Sequence, residues 1–323
     1  MAALYPLKLS YVVKSPIWSG EKLKTGWSKR ADGAIGESWE LSVRKSERSK
    51  VLNGAFAGCT LYELIERFGA DITGKSSSPA DFPLLIKLID AADDLSVQVH
   101  PDDEYAARVE NDRGKTEMWY IVEANEGAQI VYGLREGADA HALADAVERG
   151  DVASALNFVT VHAGETYFIP AGLLHAIGKG ILIAEVQQNC DLTYRVYDYG
   201  RLGADGKPRE LHTEKALEVT RVFSDAEIDA IRYSRASGEH SESLLADCDF
   251  FRVERLTLTG GEERAIENGG RFCHILVLGG SGAITHGGAS YPFSKGDSYF
   301  IPASLCGVGA IGDTSLLISF SAD

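Results

Sequence analysis

The chain contains few cysteines, and none of them stands in a pattern that suggests a structural role. They are odd in number, widely spaced and free of any C-x-x-C pair: Cys59, Cys190, Cys248, Cys273 and Cys306. Disulfide frameworks and cysteine zinc sites both need thiols in pairs or groups. We therefore expect a protein of a reducing compartment, with neither a disulfide framework nor a cysteine metal site.

The chain also lacks a long hydrophobic run. No stretch approaches the ~18 consecutive apolar residues typical of a membrane-spanning helix. The opening segment, MAALYPLKLSYVVKSP, is interrupted by Lys8 and Lys14, and no secretory cleavage site follows it. These absences predict a cytoplasmic protein that has no membrane partner.

Positive charge is scarce as well. The chain has 32 Lys and Arg residues against 47 Asp and Glu residues, which gives a net charge of −15. This balance argues against a nucleic-acid partner, and an anionic ligand would depend on a few local cations. No G-x-x-x-x-G-K-[ST] loop is present to bind a phosphate, and the glycine run LGGSG at 278–282 is typical of a turn.

Strand patterns dominate what the sequence does contain. Apolar residues make up 45% of the 323 residues, which is enough for the cores of two domains. Short apolar or alternating runs recur across 1–60, 82–132, 160–199 and 244–323. Helical signals are fewer, and they lie at 60–69, 139–157, 213–220 and 225–231. The patterns predict a mainly β fold with a few short helices.

One polar segment is the best candidate for a linker between domains. YSRASGEHSES, at 233–243, lacks any periodicity and is rich in serine. We therefore predict a first domain of residues 1–232, which carries the helical insertions, and a second domain of residues 233–323.

An internal repeat specifies the fold more closely. HAGETYFIPAGLLHAIG at 162–178 matches SKGDSYFIPASLCGVGA at 294–310 at a constant offset. The shared pattern resembles the second signature motif of the cupin superfamily, a small jelly-roll barrel in which glycine makes the turn and proline ends strand pairing. The repeat predicts two cupin (jelly-roll) barrels, with short helices in and around the first. The second is degenerate, because Gly307 stands where the first copy has His175.

Candidate metal ligands belong to the first barrel. Gln98 and His100 are two residues apart on a predicted strand and so share one face, and Lys115 and Glu117 stand in the same relation. His175 joins them from the repeat. Two histidines, a carboxylate and an amide oxygen form a donor set suited to Zn²⁺ or Fe²⁺. Each residue alone has an ordinary structural explanation, but together they favour a metal site.

Four motifs resemble the type I mannose-6-phosphate isomerases (phosphomannose isomerases), in their shorter bacterial branch: VQVHPDD, GKTEMWYIV, PAGLLHAIG and DLTYRVYDYGR, in this order. The resemblance runs from GESWELS at 36–42 to the second barrel. It implies an aldose–ketose isomerase that interconverts mannose 6-phosphate and fructose 6-phosphate through a cis-enediolate. It also implies one Zn²⁺ per chain, bound by Gln98, His100, Glu117 and His175.

The resemblance implies catalytic residues too. The family's active-site arginine falls on Arg195, a side chain that always carries its charge and binds oxyanions with two parallel hydrogen bonds. Lys115 and Asp191 match the lysine and aspartate that line the sugar site. The residue that transfers the proton is left open among Asp191, Glu185, Lys115 and a zinc-bound water.

Substrate-binding residues complete the expected site. Lys87 and Ser96 match positions associated with the phosphate end of the sugar, and Glu185 is expected beside them. Lys87 interrupts the apolar run FPLLIKLID, where a lone lysine usually extends to solvent. The resemblance instead favours an inward-facing Lys87 that binds an anion.

Two other functions fit parts of the same pattern. Two histidines and one carboxylate also form the metal triad of an Fe(II) cupin dioxygenase, but this function gives Lys115, Asp191 and Arg195 no role. A non-catalytic sugar-binding bicupin with a structural metal is the other alternative. For the isomerase we expect a small-molecule sugar phosphate as the partner, and a monomer or small homo-oligomer.

Overall fold

The computed structural model describes residues 3–44, 46–75, 78–203, 206–236 and 243–322. The fold is mainly β, as predicted. Its strands are β1 (Leu7–Lys8), β2 (Val12–Lys14), β3 (Glu37–Leu41), β4 (Val43–Arg44), β5 (Glu47–Arg48), β6 (Leu84–Ala91), β7 (Val97–Val99), β8 (Glu117–Ala124), β9 (Gln129–Leu134), β10 (Leu156–Thr160), β11 (Thr166–Ile169), β12 (His175–Ile177), β13 (Ile181–Gln188), β14 (Tyr194–Tyr197), β15 (Leu244–Asp247), β16 (Phe251–Leu258), β17 (Glu263–Ile266), β18 (Cys273–His286), β19 (Ala289–Ser294), β20 (Ser298–Ile301) and β21 (Val308–Ser321).

The α-helices are short and precede β15. They are α1 (Lys22–Trp27), α2 (Leu61–Phe68), α3 (Ala70–Thr73), α4 (Asp103–Val109), α5 (Ala140–Glu148), α6 (Thr213–Val219) and α7 (Asp225–Arg232), with 3₁₀ turns at Gly54–Phe56, Pro79–Asp81 and Val152–Ala155. Within the described ranges, no helix has the length and apolar character that crossing a membrane requires.

Local capping explains where the predicted helices begin. The Thr60 side chain accepts a hydrogen bond from the Glu63 amide at the start of α2, and Glu63 bonds back to Thr60. Ser224 and Glu227 form the same capping box at α7. The sequence patterns do not predict α1 and α4, which have six and seven residues.

Two antiparallel sheets form the first barrel. One has the strand order β11-β8-β13-β6-β3-β2, and the other has the order β10-β9-β12-β7-β14. Every residue of β6 is buried, because the strand lies inside its sheet between β13 and β3 and is covered on both faces. This burial explains the nearly continuous apolar run in which Lys87 stands.

A third sheet forms the second barrel. It has the order β1-β20-β18-β21-β16-β15, with β17 paired to β21 and β19 paired to β18. Its first strand comes from the opposite end of the chain, because Leu7 and Lys8 pair with Phe300 and Tyr299. Residues 237–242 of the expected linker lie outside the described ranges, and the division of the chain at residue 232 stays a prediction.

Candidate metal centre and active site

Three neighbouring strands of the smaller sheet place a row of polar side chains on one face. On β7, Gln98 is the cross-strand partner of His175 on β12 and of Arg195 on β14. Directly paired residues extend to the same face of a sheet, so the three side chains lie side by side. His100 follows β7 by one residue and is buried, with 1% of its surface exposed.

The larger sheet presents a second row. Lys87 on β6 pairs with Trp39 on β3 and with Glu185 on β13, and Glu185 pairs in turn with Trp119 on β8. Glu117 lies two residues before Trp119 and therefore on the same face. Lys87, Glu117 and Glu185 are all buried. A strand interior with this many ionisable groups needs compensating partners.

The two sheets bring the metal-ligand candidates together. Glu117 Oε1 lies 3.4 Å from His175 Nε2, and Glu117 Oε2 lies 3.7 Å from His100 Nε2. The potential ligand atoms of all three residues lie within 4.8 Å of one another, and each residue is buried. Gln98 adjoins the group, with its Nε2 3.5 Å from His175 Nε2. The side-chain amide can present either its oxygen or its nitrogen to this position.

The donor chemistry of this cluster fits a divalent metal. His175 Nδ1 donates to the Leu173 carbonyl at 2.8 Å, which leaves the lone pair of Nε2 directed toward Glu117. Within the described ranges, His100 Nε2 is buried without a hydrogen-bond partner. Burial lowers the pKa of His175 to about 4 and lowers the pKa of His100 well below its ordinary value. Both imidazoles are therefore neutral at pH 7, the form that binds metals.

Two buried lysines balance the two buried carboxylates. Lys115 Nζ lies 3.3 Å from Glu117 Oε2, and Lys87 Nζ lies 3.1 Å from Glu185 Oε1. Burial and the nearby Glu185 charge raise the pKa of Glu117 to about 7. Burial would also raise the pKa of Glu185, but the charges of Lys87 and Lys115 outweigh it and lower that pKa. Glu185 is therefore ionised at neutral pH.

Trp119 connects the two carboxylates, although the motifs alone do not point to it. Its Nε1 lies 3.0 Å from Glu117 Oε1 and 3.2 Å from Glu185 Oε2, and its ring packs edge-on against His175. The available signal was its position two residues after Glu117 on the same strand, which places both side chains on one face.

Lys87 faces inward, and β3 supplies two further contacts to it. Its Nζ lies 3.9 Å from Glu37 Oε2 and 5.3 Å from the centre of the Trp39 ring. Glu37 Oε2 also accepts a hydrogen bond from Trp39 Nε1 at 2.6 Å. The charges of Glu185 and Glu37 outweigh burial and raise the pKa of Lys87, so its ammonium group is charged. Glu37 is a second residue of the site that the motifs do not identify.

Arg195 lies at the other side of the site. Its Nε donates to Ser96 Oγ at 3.3 Å and its Nη1 donates to the Glu210 carbonyl at 2.8 Å. Among the described residues, no carboxylate forms an ion pair with it. Ser96 is buried two positions before Gln98 on the same face of the chain. Burial and the neighbouring Arg209 lower the pKa of Arg195, but the group stays charged.

A surface cleft shares Trp39 with this site, although none of the metal-ligand candidates lines it. It has a volume of about 510 Å³, and Trp39, Arg44, Asn189 and Asp191 are among its lining residues. Asp191 is exposed at this cleft. A second cleft of about 530 Å³, lined by Phe82 and Phe272 among others, includes none of the metal-ligand candidates. We assign the substrate entrance to the first cleft because Trp39 connects it to Lys87.

The second barrel lacks two of these candidate ligands at the matching positions. Ile169 of the first repeat pairs with Glu117, and its counterpart Ile301 pairs with Cys273. The position of the metal carboxylate is thus a buried cysteine in the second barrel, and the position of His175 is Gly307. Among the described residues, the first barrel alone brings a group of potential metal ligands together.

Known proteins resemble the chain along nearly its whole length. The family model of the type I phosphomannose isomerase catalytic domain matches residues 7–131, and that of the mannose-6-phosphate isomerase cupin domain matches residues 241–321. Mannose-6-phosphate isomerase ManA of Bacillus subtilis is 39% identical over 93% of this chain and 94% of its own. Mannose-6-phosphate isomerase of Streptococcus mutans is 36% identical over 98% of each chain.

Solved structures agree with the sequence relatives. The crystal structure of mannose 6-phosphate isomerase from Bacillus subtilis superposes with a TM-score of 0.86 at 35% identity, and it covers 97% of this chain and 99% of its own. A putative mannosephosphate isomerase from Archaeoglobus fulgidus has the same fold, with a TM-score of 0.76 at 22% identity and 98% of each chain covered.

Proposed function

The chain belongs to the type I phosphomannose isomerase family, and we propose that its His100, Glu117 and His175 bind the metal with which it interconverts mannose 6-phosphate and fructose 6-phosphate. The protein is an aldose–ketose isomerase, an intramolecular oxidoreductase. The observation that carries the proposed site is the approach of three buried ligand groups from two sheets beside two buried lysine–carboxylate pairs.

Zinc is the metal that we propose, one ion per chain. Two neutral imidazoles and a carboxylate suit its preference for nitrogen and oxygen donors, and the Gln98 amide is the fourth candidate ligand. When bound, such a metal acts as a Lewis acid that stabilises negative charge on the oxygens of the substrate. Trp119 and the Leu173 carbonyl orient Glu117 and His175 for this role.

Isomerisation moves a proton between C1 and C2 of the sugar through a cis-enediolate. The reaction therefore needs a proton acceptor, a proton donor and positive charge near the developing oxyanion. Glu185, Lys115 and Asp191 are the candidates for proton transfer. Glu185 fits the role of acceptor because Lys87 and Lys115 keep it ionised despite its burial.

Arg195 is the residue that we propose for binding the anionic parts of the substrate. It is half-buried, it is oriented by Ser96 and the Glu210 carbonyl, and its charge is not taken up by an ion pair within the described ranges. A guanidinium in this state can offer two parallel hydrogen bonds to a phosphate or an enediolate. Lys87 is better placed to orient Glu185 and the sugar, since two carboxylates already neutralise its charge.

A coupled assay on metal-stripped protein tests the proposed function. The protein is treated with a chelator, and mannose 6-phosphate turnover is followed with and without added Zn²⁺, in air and under anaerobic conditions. We expect turnover to disappear with the metal, to return with Zn²⁺ and to be independent of oxygen. Oxygen-dependent turnover would favour a dioxygenase, and metal-independent turnover would contradict the proposed site.

We further propose that the enzyme acts in the cytoplasm as a monomer or small homo-oligomer. All five cysteines are free, which suits a reducing compartment. Sedimentation velocity at micromolar concentration tests the oligomeric state, and a large assembly would contradict it.

A further inference from the structure

A buried ion pair between Lys29 and Glu40 of β3 lies where the first barrel contacts the second. Lys29 Nζ lies 2.6 Å from Glu40 Oε1, and the two side chains are 2% and 0% exposed. Lys29 also donates to the Gly296 carbonyl at 2.9 Å, and Ser298 Oγ donates to the Glu40 carbonyl at 3.2 Å. Gly296 and Ser298 belong to the second barrel, so hydrogen bonds tie Glu40 to it.

His274 completes this contact from the second barrel. It is fully buried on β18, and its Nε2 lies 2.5 Å from Ser298 Oγ. Ser298 therefore bridges the His274 ring and the backbone of β3. The polar contact is buried, and its hydrogen bonds are directional.

The opposite face of β3 belongs to the active site. Since side chains alternate along a strand, Ser38 and Glu40 lie on one face and Glu37 and Trp39 lie on the other. Glu37 is the second carboxylate beside Lys87, and Trp39 lies under Lys87 and lines the entrance cleft. A single strand thus connects the second barrel to Lys87.

We propose that Glu40 is a positioning residue for sugar-phosphate binding, and that the second barrel acts on the active site by fixing β3 through the Lys29–Glu40 pair. This inference rests on the proposed function. A buried ion pair contributes little net stability over apolar residues of the same size, because desolvation offsets the attraction between the charges. Its directional hydrogen bonds do fix the position of a strand, and β3 carries two contacts of Lys87.

A double substitution tests the proposal without leaving a buried charge unpaired. Lys29→Met combined with Glu40→Gln keeps the volumes, and the amide can still accept the Ser38 hydroxyl bond that Glu40 Oε1 accepts at 2.6 Å. We expect a KM for mannose 6-phosphate that rises about tenfold, with a smaller change in kcat. Lys29→Arg keeps the charge and the hydrogen-bond donors, so its KM should stay close to the wild-type value.

Hydrogen exchange supplies a readout that does not depend on turnover. In the double variant, the amides of 37–41 should exchange faster, while the metal content per chain stays that of the wild type. If the wild-type protein does not isomerise mannose 6-phosphate, the proposed function is wrong, and exchange at 37–41 still decides whether the pair fixes β3.

The control is another polar contact between the two barrels. Arg255 Nη1 on β16 donates to the Tyr120 hydroxyl on β8 at 3.2 Å, and β13 and β6 separate β8 from β3 along the sheet order. Arg255→Met should leave KM and the exchange of 37–41 unchanged. A folded Lys29–Glu40 variant with wild-type KM and exchange would overturn the proposal, as would an equal effect of Arg255→Met.

Discussion

Glu117 and His175 lie on strands of opposite sheets, and their Oε1 and Nε2 atoms are 3.4 Å apart. The two sheets therefore meet at the proposed metal centre, and its candidate ligands come from distant segments of the chain. Neither sheet carries the complete candidate set, so the set forms only when the two sheets pack together. Burial of both residues also means that water cannot easily replace a missing ligand.

Glu117→Gln removes the charged ligand while it keeps the shape of the side chain. We expect the metal content, measured by mass spectrometry after dialysis, to fall far below one ion per chain. Substitution of residues that hydrogen-bond to metal ligands typically lowers activity about 10–100-fold. Loss of a ligand itself should lower turnover by more than this. His162→Gln is the control, because this histidine side chain is 74% exposed and lies outside the site. Full metal content in Glu117→Gln would remove Glu117 from the ligand set.

Trp119→Phe tests the hydrogen bonds that orient the carboxylates. The change removes one N–H, which lies within 3.2 Å of both Glu117 and Glu185, and leaves most of the ring volume. Metal affinity should weaken about 10–100-fold with the fold retained. Trp27→Phe is a matched control, since the buried Trp27 Nε1 has no hydrogen-bond partner among the described residues. Equal losses of metal affinity in Trp119→Phe and Trp27→Phe would show that the packing of the ring, and not the N–H group, is responsible.

Lys87→Met removes the cation that holds Glu185 ionised. Because Lys87 lowers the pKa of Glu185, that pKa should rise in the variant, and the acidic limb of the pH–rate profile should move to higher pH. We expect kcat/KM to fall by about 10²–10³ at neutral pH. Lys14→Met is the control: Lys14 also lies over the Trp39 ring, at 4.7 Å, but it is half-buried and pairs with Glu47. An unshifted acidic limb would exclude Glu185 as the group that sets it.

Charge reversal at Arg195 separates an enzyme from a sugar-binding protein. Arg195→Glu should reduce turnover by orders of magnitude while the circular dichroism spectrum stays unchanged, because the side chain is half-buried at the edge of its sheet. Arg195→Lys keeps the charge but loses the planar pair of donors, so its turnover should lie between that of the wild type and that of Arg195→Glu. Arg135→Glu, at an exposed position, serves as the control. Near-normal turnover in Arg195→Glu would contradict its catalytic role.

The repeated motif explains why much of the fold is predictable from the sequence. Glycine, an apolar strand and proline recur in both copies, so one local signal identifies two barrels. The difference between His175 and Gly307 already indicates which barrel carries the proposed metal site. The helix that follows Thr60 is equally local, because its capping box involves only Thr60 and Glu63.

The contacts between distant segments have no such signal. Glu37 approaches Lys87 because β3 lies beside β6 in the sheet. Lys29 pairs with Glu40 where β3 contacts the second barrel. Neither contact produces a periodic pattern in the sequence, because each depends on the order of the strands and not on spacing along the chain. Pairing of β1 with β20 is hidden from the sequence for the same reason.

His274 predicts how stability depends on pH. Burial and the nearby Lys29 lower its pKa from 6.5 to about 3 in the folded protein. Below about pH 6.5 the unfolded chain binds a proton that the folded protein excludes, so stability is present above this pH and is lost as the pH falls toward 3. One such group changes the free energy of unfolding by up to about 1.4 kcal/mol per pH unit.

His274→Gln isolates this contribution, because the amide does not titrate and can still bond to Ser298 Oγ. His100 and His175 have lowered pKa values too, but they act equally in both proteins and cancel in the comparison. Urea unfolding at pH 7.5 and pH 5.5 should show wild-type stability falling by about 1 kcal/mol more than that of the variant. Parallel losses would mean that His274 binds its proton in the folded state, and that the contact between the barrels admits a charge.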